Sequence, residues 1–462
     1  MKQTSFVLHG GTVALPGGES VADIVVRDGR IDTITSSGAA EHLGLPVVNV
    51  AGKVVMPGGV DVHTHMDAPS GIGHTTDTHR TGTIAAAVGG TTTIVDYAPQ
   101  PKEGTLLDAY GTWSDKAAGE AVIDYSFHVT ASHLYEGFAS DLATLVTEGI
   151  PSFKVFMAYK GDVMLDDGEL FDVLRNAGRK GAQINIHAEN GDVIDRIAAD
   201  LVREGMTAPK YHELARPAQT EVEAVRRAIA IAEMAEAPAY FVHLSTEGAV
   251  EEVAAARQRG LPISAETCTH YLTLNRSVYD APGFDAAKYV LTPPLREQEH
   301  VEGLWRGLKT GAVGIVSSDH CPLCMHGQKS LGRDDFRKIP NGGPGVEHRL
   351  MVLYDAAVAQ GKLGLTRFVE VAAAEPARSA GLYPRKGVIA VGSDADLVII
   401  DPNGTTTVSA DTQYQHVDYA LWEGWTLNGA INQVYSRGVL VAEDGKFVGP
   451  EGHGEFVRRF KN

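Results

Sequence analysis

Eight short apolar segments, separated by stretches of helical length, constrain the fold of this chain more than any other feature. The intervening sequences include strong helix formers such as EVEAVRRAIAIAEMAE. Alternation of strands and helices requires parallel strands with helical crossovers, and eight such units predict a (β/α)8 TIM barrel. The eight segments are residues 58–65, 91–98, 124–131, 152–159, 184–190, 240–245, 262–268 and 314–320.

The two ends of the chain have a different pattern. Residues 1–57 contain short strands broken by glycine, and an Asp-Gly pair predicts a hairpin turn. The pattern returns near the C-terminus in ADLVIIDPNG and VYSRGVLVAEDGKFV. We therefore expect residues 1–57 and 381–462, which include a C-terminal tail, to form one small β domain beside a catalytic barrel of residues 58–380.

Charge and cysteine content exclude several classes of protein. The formal net charge of −18 argues against a nucleic-acid partner. Three cysteines predict a reducing compartment rather than a disulfide framework, and Cys321 and Cys324, in a single C-P-L-C, are interpreted as two loop thiols because no second pair of zinc ligands is evident. The N-terminus lacks the apolar core of a signal peptide, and no apolar run has the length of a membrane helix, so we expect a cytoplasmic protein without a membrane partner.

Histidine and aspartate residues lie at the strand ends where a barrel places its catalytic groups. His63 and His65 close the first strand, and side chains two residues apart in a strand point to the same face. His187, His243 and Asp319 close the fifth, sixth and eighth strands. A set of imidazole and carboxylate groups from four strands predicts a site for zinc or a similar divalent ion.

Lys154 lies in the fourth strand between apolar neighbours. One interpretation is a barrel lysine paired with a carboxylate. The other is covalent, because a neutral lysine amine takes up carbon dioxide to give an anionic carbamate that bridges two metal ions. The apolar strand and the nearby histidines favour the carbamate.

Motifs in this order resemble the dihydropyrimidinase and D-hydantoinase branch of the amidohydrolase superfamily, over nearly the whole chain. They include HTHMD at 63–67, SFKVFMAYK at 152–160, HAEN at 187–190, SSDHCP at 317–322 and NGGPGVEHR at 341–349. The resemblance implies a barrel with a binuclear metal centre, a β-sandwich built from both chain ends, and a homotetramer or dimer. It implies hydrolysis of the ring amide of 5-substituted hydantoins or dihydropyrimidines to N-carbamoyl amino acids.

The resemblance also implies roles for individual residues. Tyr159 would hydrogen-bond the attacked carbonyl, and Asp319 would transfer the proton. The backbone of Thr292 and Asn341 would hold the ring amide, although serine is commoner at the position of Thr292. The ligands of two divalent ions, which we expect to be zinc, would be His63, His65 and Asp319 for the first, His187 and His243 for the second, and carboxylated Lys154 as the bridge.

The polar stretch after the first strand contains three further residues whose roles can be predicted. We expect Asp67 to orient a ligand histidine, since it follows H-T-H-M. His74 and His79 lie in a polar stretch, so we expect both imidazoles to be solvated.

The sequence of the same loop distinguishes this chain from enzymes with related activities. Dihydroorotases commonly carry an arginine after H-x-H, whereas this chain has M-D-A-P-S-G, which argues against an anionic ring. An allantoinase remains an alternative, and an inactive scaffold is disfavoured because every metal ligand is retained. Ala68 and Ser70 stand where the family often has bulkier side chains, so we expect room for large substituents on the ring.

Overall fold

The computed structural model describes residues 4–70 and 73–460. Residues 1–3, 71, 72, 461 and 462 belong to the predicted N-terminal β segment, the loop after the first barrel strand and the C-terminal tail, and they lie outside the described residues.

Nineteen strands, numbered in chain order, are found in the described residues. They are β1 Phe6–Leu15, β2 Gly18–Arg27, β3 Arg30–Ser36, β4 Val47–Asn49, β5 Val54–Pro57, β6 Gly59–Thr64, β7 Pro69–Ser70, β8 Gly73–His74, β9 Thr91–Pro99, β10 Asp124–Thr130, β11 Ser152–Phe156, β12 Gln183–His187, β13 Ala239–Phe241, β14 Ile263–Cys268, β15 Ile315–Ser317, β16 Leu397–Thr407, β17 Thr426–Ser436, β18 Val439–Glu443 and β19 Lys446–Phe447.

The α-helices follow the barrel strands. They are α1 His79–Val88, α2 Leu106–Ala117, α3 Phe138–Thr147, α4 Asp167–Gly178, α5 Gly191–Arg203, α6 Tyr211–Leu214, α7 Ala218–Met234, α8 Glu247–Gln258, α9 Thr269–Thr273, α10 Gln298–Thr310, α11 Arg349–Tyr354, α12 Leu365–Val369 and α13 Glu375–Ala380. Short 3₁₀ turns span Glu41–Leu43, Arg276–Asp280, Asp285–Tyr289, Lys329–Gly332 and Phe336–Lys338, and π segments span Asp355–Ala359 and Glu370–Ala374. Among the helices of residues 4–70 and 73–460, none combines the length and the apolar character needed to cross a membrane.

The predicted barrel is confirmed. Its strands pair in the order β15-β14-β13-β12-β11-β10-β9-β6, with parallel registers throughout. A parallel bridge between Thr64 and His320 brings the last strand back to the first. Strand β6 is buried along its whole length, because the interior covers one face and helices cover the other.

Helix α7 illustrates why these sequences form the outer layer. Its buried apolar residues recur at intervals of about four, as in Val225, Ile229 and Ala232, so one face of the helix packs on the barrel. Capping boxes at Thr78, Thr105 and Asp166 satisfy free backbone N–H groups where α1, α2 and α4 begin.

The two ends of the chain form the predicted β-sandwich. Its strands pair in the order β19-β18-β17-β16-β5-β1-β2-β3, with β4 beside β1. Antiparallel pairing of β5 with β16 joins the N-terminal and C-terminal portions. The expected Asp-Gly turn is present, because Asp28 and Gly29 both have positive φ and connect β2 to β3. Phe6, Ile24 and Ile399 belong to the core of this domain.

The C-terminal tail runs under the barrel, at the ends where its strands begin. The N–H of Tyr125 donates to Glu455 O at 3.0 Å, and the N–H of Val457 donates to Tyr125 O at 2.8 Å. The buried guanidinium of Arg459 donates to Ser126 Oγ at 2.8 Å and to Ser152 Oγ at 2.9 Å. The tail therefore closes the face of the barrel opposite the candidate active site.

Candidate active site

A cavity of about 730 Å³ opens at the C-terminal ends of the barrel strands. The structure brings all nine predicted site residues into its wall, although they come from seven separate parts of the chain. They are His63, His65, Lys154, Tyr159, His187, His243, Thr292, Asp319 and Asn341.

The first group of predicted ligands is formed by β6 and the end of β15. His63 lies in β6 and His65 directly follows its last residue, and both imidazoles face Asp319. Their Nε2 atoms lie 3.1 and 3.2 Å from Asp319 Oδ1. The ligand atoms of these three side chains lie within 4.8 Å of one another, which is a spacing that suits a shared metal ion.

Glu266 fixes which nitrogen of His63 faces this group. Its carboxylate contacts His63 Nδ1 and accepts hydrogen bonds from Tyr240 Oη at 2.7 Å and from the N–H of His243 at 3.2 Å. Because Nδ1 donates to the carboxylate, His63 Nε2 carries a lone pair that faces the carboxylate oxygen of Asp319. That buried nitrogen has no hydrogen-bond partner within the described chain, so the pair of acceptors fits a cation between them.

The second group is formed by the ends of β12 and β13. His187 Nδ1 lies 3.0 Å from His243 Nε2. The other nitrogen of His187, Nε2, donates to Glu189 Oε2 at 2.8 Å, so Nδ1 carries a lone pair. Arg216 also donates to Glu189 at 2.8 Å and, with His187, holds the pKa of that carboxyl below its usual value although burial opposes ionisation. A nitrogen lone pair directed at a second imidazole again suits a metal ligand.

Burial sets the charge of the histidines. It lowers the pKa of His63, His187 and His243, so these imidazoles are neutral near pH 7. Neutral imidazole is the form that binds metal ions.

Lys154 lies between these two groups and is 1% exposed. Its Nζ is 4.9 Å from the centre of the Tyr97 ring and 5.1 Å from that of Phe156. Among the residues that the structure describes, no carboxylate lies within 4.0 Å of this nitrogen, so Lys154 is not a carboxylate-paired lysine. Burial lowers its pKa to about 8, which makes the nucleophilic neutral amine accessible near neutral pH.

Three predicted site residues have left-handed backbone conformations. The φ angles are 68° for Tyr159, 39° for His243 and 48° for Asp319. Non-glycine residues adopt such angles at a cost of about 1–3 kcal/mol, and they cluster at functional sites. These residues follow the ends of β11, β13 and β15, where the chain turns away from the sheet, and their side chains line the cavity.

The predicted substrate contacts line the same cavity. Asn341 Nδ2 lies 3.4 Å from Tyr159 Oη. Thr292 is 8% exposed and precedes Pro293. Burial raises the pKa of Tyr159, so its hydroxyl stays protonated and is available as a hydrogen-bond donor.

Sequence reasoning missed Glu266, Glu189 and Arg216. Glu266 lies inside the mostly buried barrel strand β14, and Glu189 lies two residues after His187, so their positions offered a weak sign of function. The contacts of Glu266 with His63 and of Arg216 with Glu189 join residues 203 and 27 positions apart, so they are visible only in three dimensions.

Two expectations for the first loop do not hold. Asp67 Oδ2 pairs with Lys116 Nζ at 2.8 Å, and the structure gives it no contact with a ligand histidine. The expectation of a solvated His79 is wrong, because its ring is 1% exposed and Nε2 lies 3.5 Å from Asp96 Oδ2. His79 starts helix α1, whose packing against the barrel buries it, whereas His74 is exposed as expected.

The cysteines are free thiols, as expected. Cys321 lines the cavity, and burial raises its pKa to about 12, so the thiol is protonated. Within the described residues, His63, His65 and Asp319 form a cluster that could hold a metal ion, and no such cluster contains a cysteine.

Comparison with known proteins agrees with this geometry. Residues 54–441 match the model of the amidohydrolase family. A D-hydantoinase of Streptomyces coelicolor is 45% identical over 98% of this chain and 97% of its own length. A D-phenylhydantoinase of Escherichia coli is 38% identical, with 98% of each chain covered.

Solved structures give the same result. The crystal structure of dihydropyrimidinase from Brevibacillus agri superimposes with a TM-score of 0.96 and 43% identity, covering 99% of both chains. An L-hydantoinase (dihydropyrimidinase) from Arthrobacter aurescens has a TM-score of 0.89 and 29% identity, covering 99% of this chain and 100% of the other.

Proposed function

The chain belongs to the amidohydrolase family, and from this premise we propose that it opens the ring of hydantoins or dihydropyrimidines by hydrolysis of a ring amide. The products are N-carbamoyl amino acids. One observation carries the proposal: the two histidine groups, Asp319 and Lys154 line a single cavity. In it, the unprotonated Nε2 of His63 faces Asp319, and the unprotonated Nδ1 of His187 faces His243. A small-molecule cyclic amide is therefore the partner of this site.

Two divalent ions, which we propose to be zinc, are the cofactors. His63, His65 and Asp319 would hold one ion, and His187 and His243 would hold the other. When bound, such a pair of ions supplies hydroxide at neutral pH and polarises the carbonyl under attack. Glu266 and Glu189 would keep His63 and His187, respectively, in the tautomers that binding requires.

A carbamate on Lys154 would complete the ligand set. The neutral amine attacks carbon dioxide, a bond forms between Nζ and the carbon, and one N–H proton leaves to solvent. The product is an anion in place of a cation. Two observations support this change: the low pKa of Lys154 and the lack of a carboxylate partner within the described chain.

The remaining roles belong to hydrogen-bonding groups. The Tyr159 hydroxyl would donate to the attacked carbonyl as negative charge develops on its oxygen. Asp319 would accept a proton from the attacking water and deliver it to the leaving ring nitrogen. The backbone groups of Thr292 and Asn341 would hold the rest of the ring amide.

The residues that line the cavity determine which substituents on the ring can be accommodated. Ala68 and Ser70 line the cavity, as Phe156 and Val163 do, so its wall includes small side chains as well as an aromatic ring. We propose that this leaves space for bulky or aromatic groups at position 5 of a hydantoin. If dihydrouracil is hydrolysed far more efficiently than 5-phenylhydantoin, this preference is wrong.

The first experiment measures metal content and ring opening together. Purified protein is assayed with dihydrouracil, 5-phenylhydantoin, allantoin and dihydroorotate, with and without added divalent metal. We expect about two metal ions per chain and opening of the first or second compound. Opening of allantoin alone would replace the proposal with an allantoinase, and a protein that binds no metal after reconstitution would be a scaffold.

A matched pair of variants tests the proton transfer. Asp319→Asn should nearly abolish turnover, by at least about 10²-fold, while circular dichroism shows an unchanged fold. Asp192→Asn removes an exposed carboxylate that pairs with Lys160 and should leave turnover unchanged. Near-normal turnover in Asp319→Asn would contradict the role of this residue.

We further propose a cytoplasmic homotetramer or dimer in which residues 1–57 and 381–462 form one domain and 58–380 the other. Three free cysteines are consistent with a reducing compartment. Light scattering on the purified protein measures the oligomer, and a monomeric mass would contradict this part of the proposal.

A further inference from the structure

Two backbone N–H groups in the cavity wall have no acceptor in the part of the chain that the structure describes. They belong to Thr292 and Asn341, which both line the cavity. Across residues 4–70 and 73–460, neither N–H has an acceptor within hydrogen-bond distance. Buried N–H groups are almost always paired, and a ligand or water fills the role where the protein offers no acceptor. These donors are therefore free to meet a substrate.

A buried lysine lies behind the N–H of Asn341. Lys329 Nζ donates to Pro340 O at 3.1 Å, and this carbonyl belongs to the same peptide group as the N–H of Asn341. Nζ also donates to Val290 O at 3.1 Å, which accepts a second bond from the N–H of Gly342 at 3.1 Å. Lys329 is 0% exposed. The side chain thus ties the chain segment before Thr292 to the one that carries Asn341.

A buried histidine lies behind the N–H of Thr292 in the same way. His212 Nε2 lies 2.7 Å from Leu291 O, and this carbonyl shares a peptide group with the N–H of Thr292. Burial lowers the pKa of His212 to about 3, so the ring is neutral, and Nε2 carries the proton because a carbonyl only accepts. The two N–H groups therefore have the same support: a buried side chain donates to the carbonyl of their own peptide.

A hydrogen bond to a carbonyl oxygen polarises the peptide and strengthens its N–H as a donor. It also fixes the direction of that N–H. Building on the proposed function, we propose that Lys329 and His212 are positioning residues, which direct the N–H groups of Asn341 and Thr292 at the ring carbonyl that is not cleaved. Tyr159 serves the carbonyl that is cleaved, so the other carbonyl requires donors of its own.

The arrangement does not depend on the charge of Lys329. Burial lowers its pKa to about 7. The ammonium and the neutral amine both have the two N–H groups that Val290 O and Pro340 O accept. The effect of this residue should accordingly persist on both sides of neutral pH.

Variants at both positions test the proposal through the Michaelis constant. Lys329→Met and His212→Phe remove the donors and should each raise KM for hydantoin about ten-fold, with kcat within about two-fold, because uniform binding of the ring is lost. Lys329→Arg and His212→Gln retain N–H donors and should restore most of the affinity. Lys288→Met, a nearby half-buried lysine without these carbonyl contacts, is the charge control.

A second substrate separates positioning from general packing. In 2-thiohydantoin the uncleaved carbonyl oxygen is replaced by sulfur, which accepts hydrogen bonds more weakly. The rise in KM caused by Lys329→Met or His212→Phe should fall from about ten-fold to less than about three-fold with this compound. Metal content and circular dichroism should match the parent protein. If one variant fails to fold, the other position gives the same comparison.

Three results would overturn the proposal. An unchanged KM in both donor-removing variants would show that the peptides need no support. An equal rise in KM in the donor-retaining variants, or an equal rise with both substrates, would show that the variants act through packing alone. A parent protein that opens neither ring would overturn the proposed function itself, which distinguishes that failure from the other two.

Discussion

Glu266 offers the sharpest test of the metal centre, because its carboxylate decides which nitrogen of His63 is free. The change is Glu266→Gln, which keeps the size of the side chain and removes its charge. Glu266 contacts His63 Nδ1, Tyr240 Oη and the N–H of His243. The glutamine has one carbonyl oxygen for these donors, so its NH₂ group must face at least one of them.

The amide of the Glu266→Gln variant can adopt two orientations, and these give the lower and upper limits of the expected loss in metal affinity. If the amide oxygen faces His63, the histidine keeps its tautomer and loses only the charge of its partner, which should weaken metal binding about ten-fold. If the NH₂ faces His63, the proton moves to Nε2 and blocks the ligand atom, which should weaken binding about 100-fold. Loss of such a partner typically costs 10–100-fold, or about 1.4–2.8 kcal/mol of binding free energy.

The assay is competition of the apoprotein against a metal-sensitive dye at a series of pH values. Burial raises the pKa of Glu266 to about 7. The difference between parent and variant should be complete at pH 8 and shrink toward pH 6, because a protonated wild-type carboxyl resembles the amide. Protonation of ligand histidines weakens both proteins alike, so the ratio of their dissociation constants is the quantity to follow.

Glu347→Gln is the matched control. Burial raises the pKa of Glu347 to about 7 as well, but this carboxylate accepts backbone N–H groups of Tyr414 and Gln415 at 2.7 and 3.1 Å. Its metal affinity should equal that of the parent. Equal affinities of Glu266→Gln and the parent at pH 8 would refute the reasoning that a carboxylate sets the tautomer of His63.

Three further changes test other parts of the structure. Tyr159→Phe should lower kcat about 10²–10³-fold with unchanged metal content, as measured by steady-state kinetics, and a loss below ten-fold would rule out an oxyanion donor. Lys386→Met should lower the free energy of unfolding by about 3–5 kcal/mol in urea titrations, because Asp124 and Asp396 lose a buried cation at 2.6 and 2.7 Å; an unchanged midpoint would contradict this. Ser70→Phe should lower kcat/KM for 5-phenylhydantoin about ten-fold relative to dihydrouracil, and an unchanged ratio would place the ring substituent elsewhere.

The barrel was predictable because each strand is a compact apolar run between helical segments. All eight predicted strands are present, but their C-terminal limits were overestimated where the site begins. The fourth was expected to span 152–159 and ends at Phe156, and the sixth was expected to reach 245 and ends at Phe241. In both cases the chain leaves the sheet before a residue with positive φ, Tyr159 or His243. A run of apolar residues indicates that a segment is buried, but it does not indicate where the backbone leaves the sheet.

The candidate ligands were predictable for a related reason. His63 and His65 identify each other by their spacing, and the barrel rule places them near His187, His243 and Asp319. Apart from Glu189, which lies two residues after His187, the supporting residues have no such local relation. Glu266 and His63 are 203 positions apart, and Lys329 and Val290 are 39 apart. Asp67 failed in the opposite direction, because nearness to H-x-H in sequence did not bring it to the imidazoles, and its carboxylate pairs with Lys116. His79 was expected to be solvated because its neighbours are polar, but the packing of helix α1 buries it.

The carboxylates explain a feature of the centre that the histidines alone leave open. Glu266 occupies Nδ1 of His63 and frees Nε2, whereas Glu189 occupies Nε2 of His187 and frees Nδ1. The two histidines therefore present different nitrogens to the cavity, although each stands at the end of a parallel barrel strand. In histidine, Nε2 lies farther from the backbone than Nδ1 does, so the choice of nitrogen sets how far each ligand atom lies from its strand. The carboxylates therefore decide how far each ligand nitrogen projects from its strand end, and Glu266 does so from 203 positions away in the sequence.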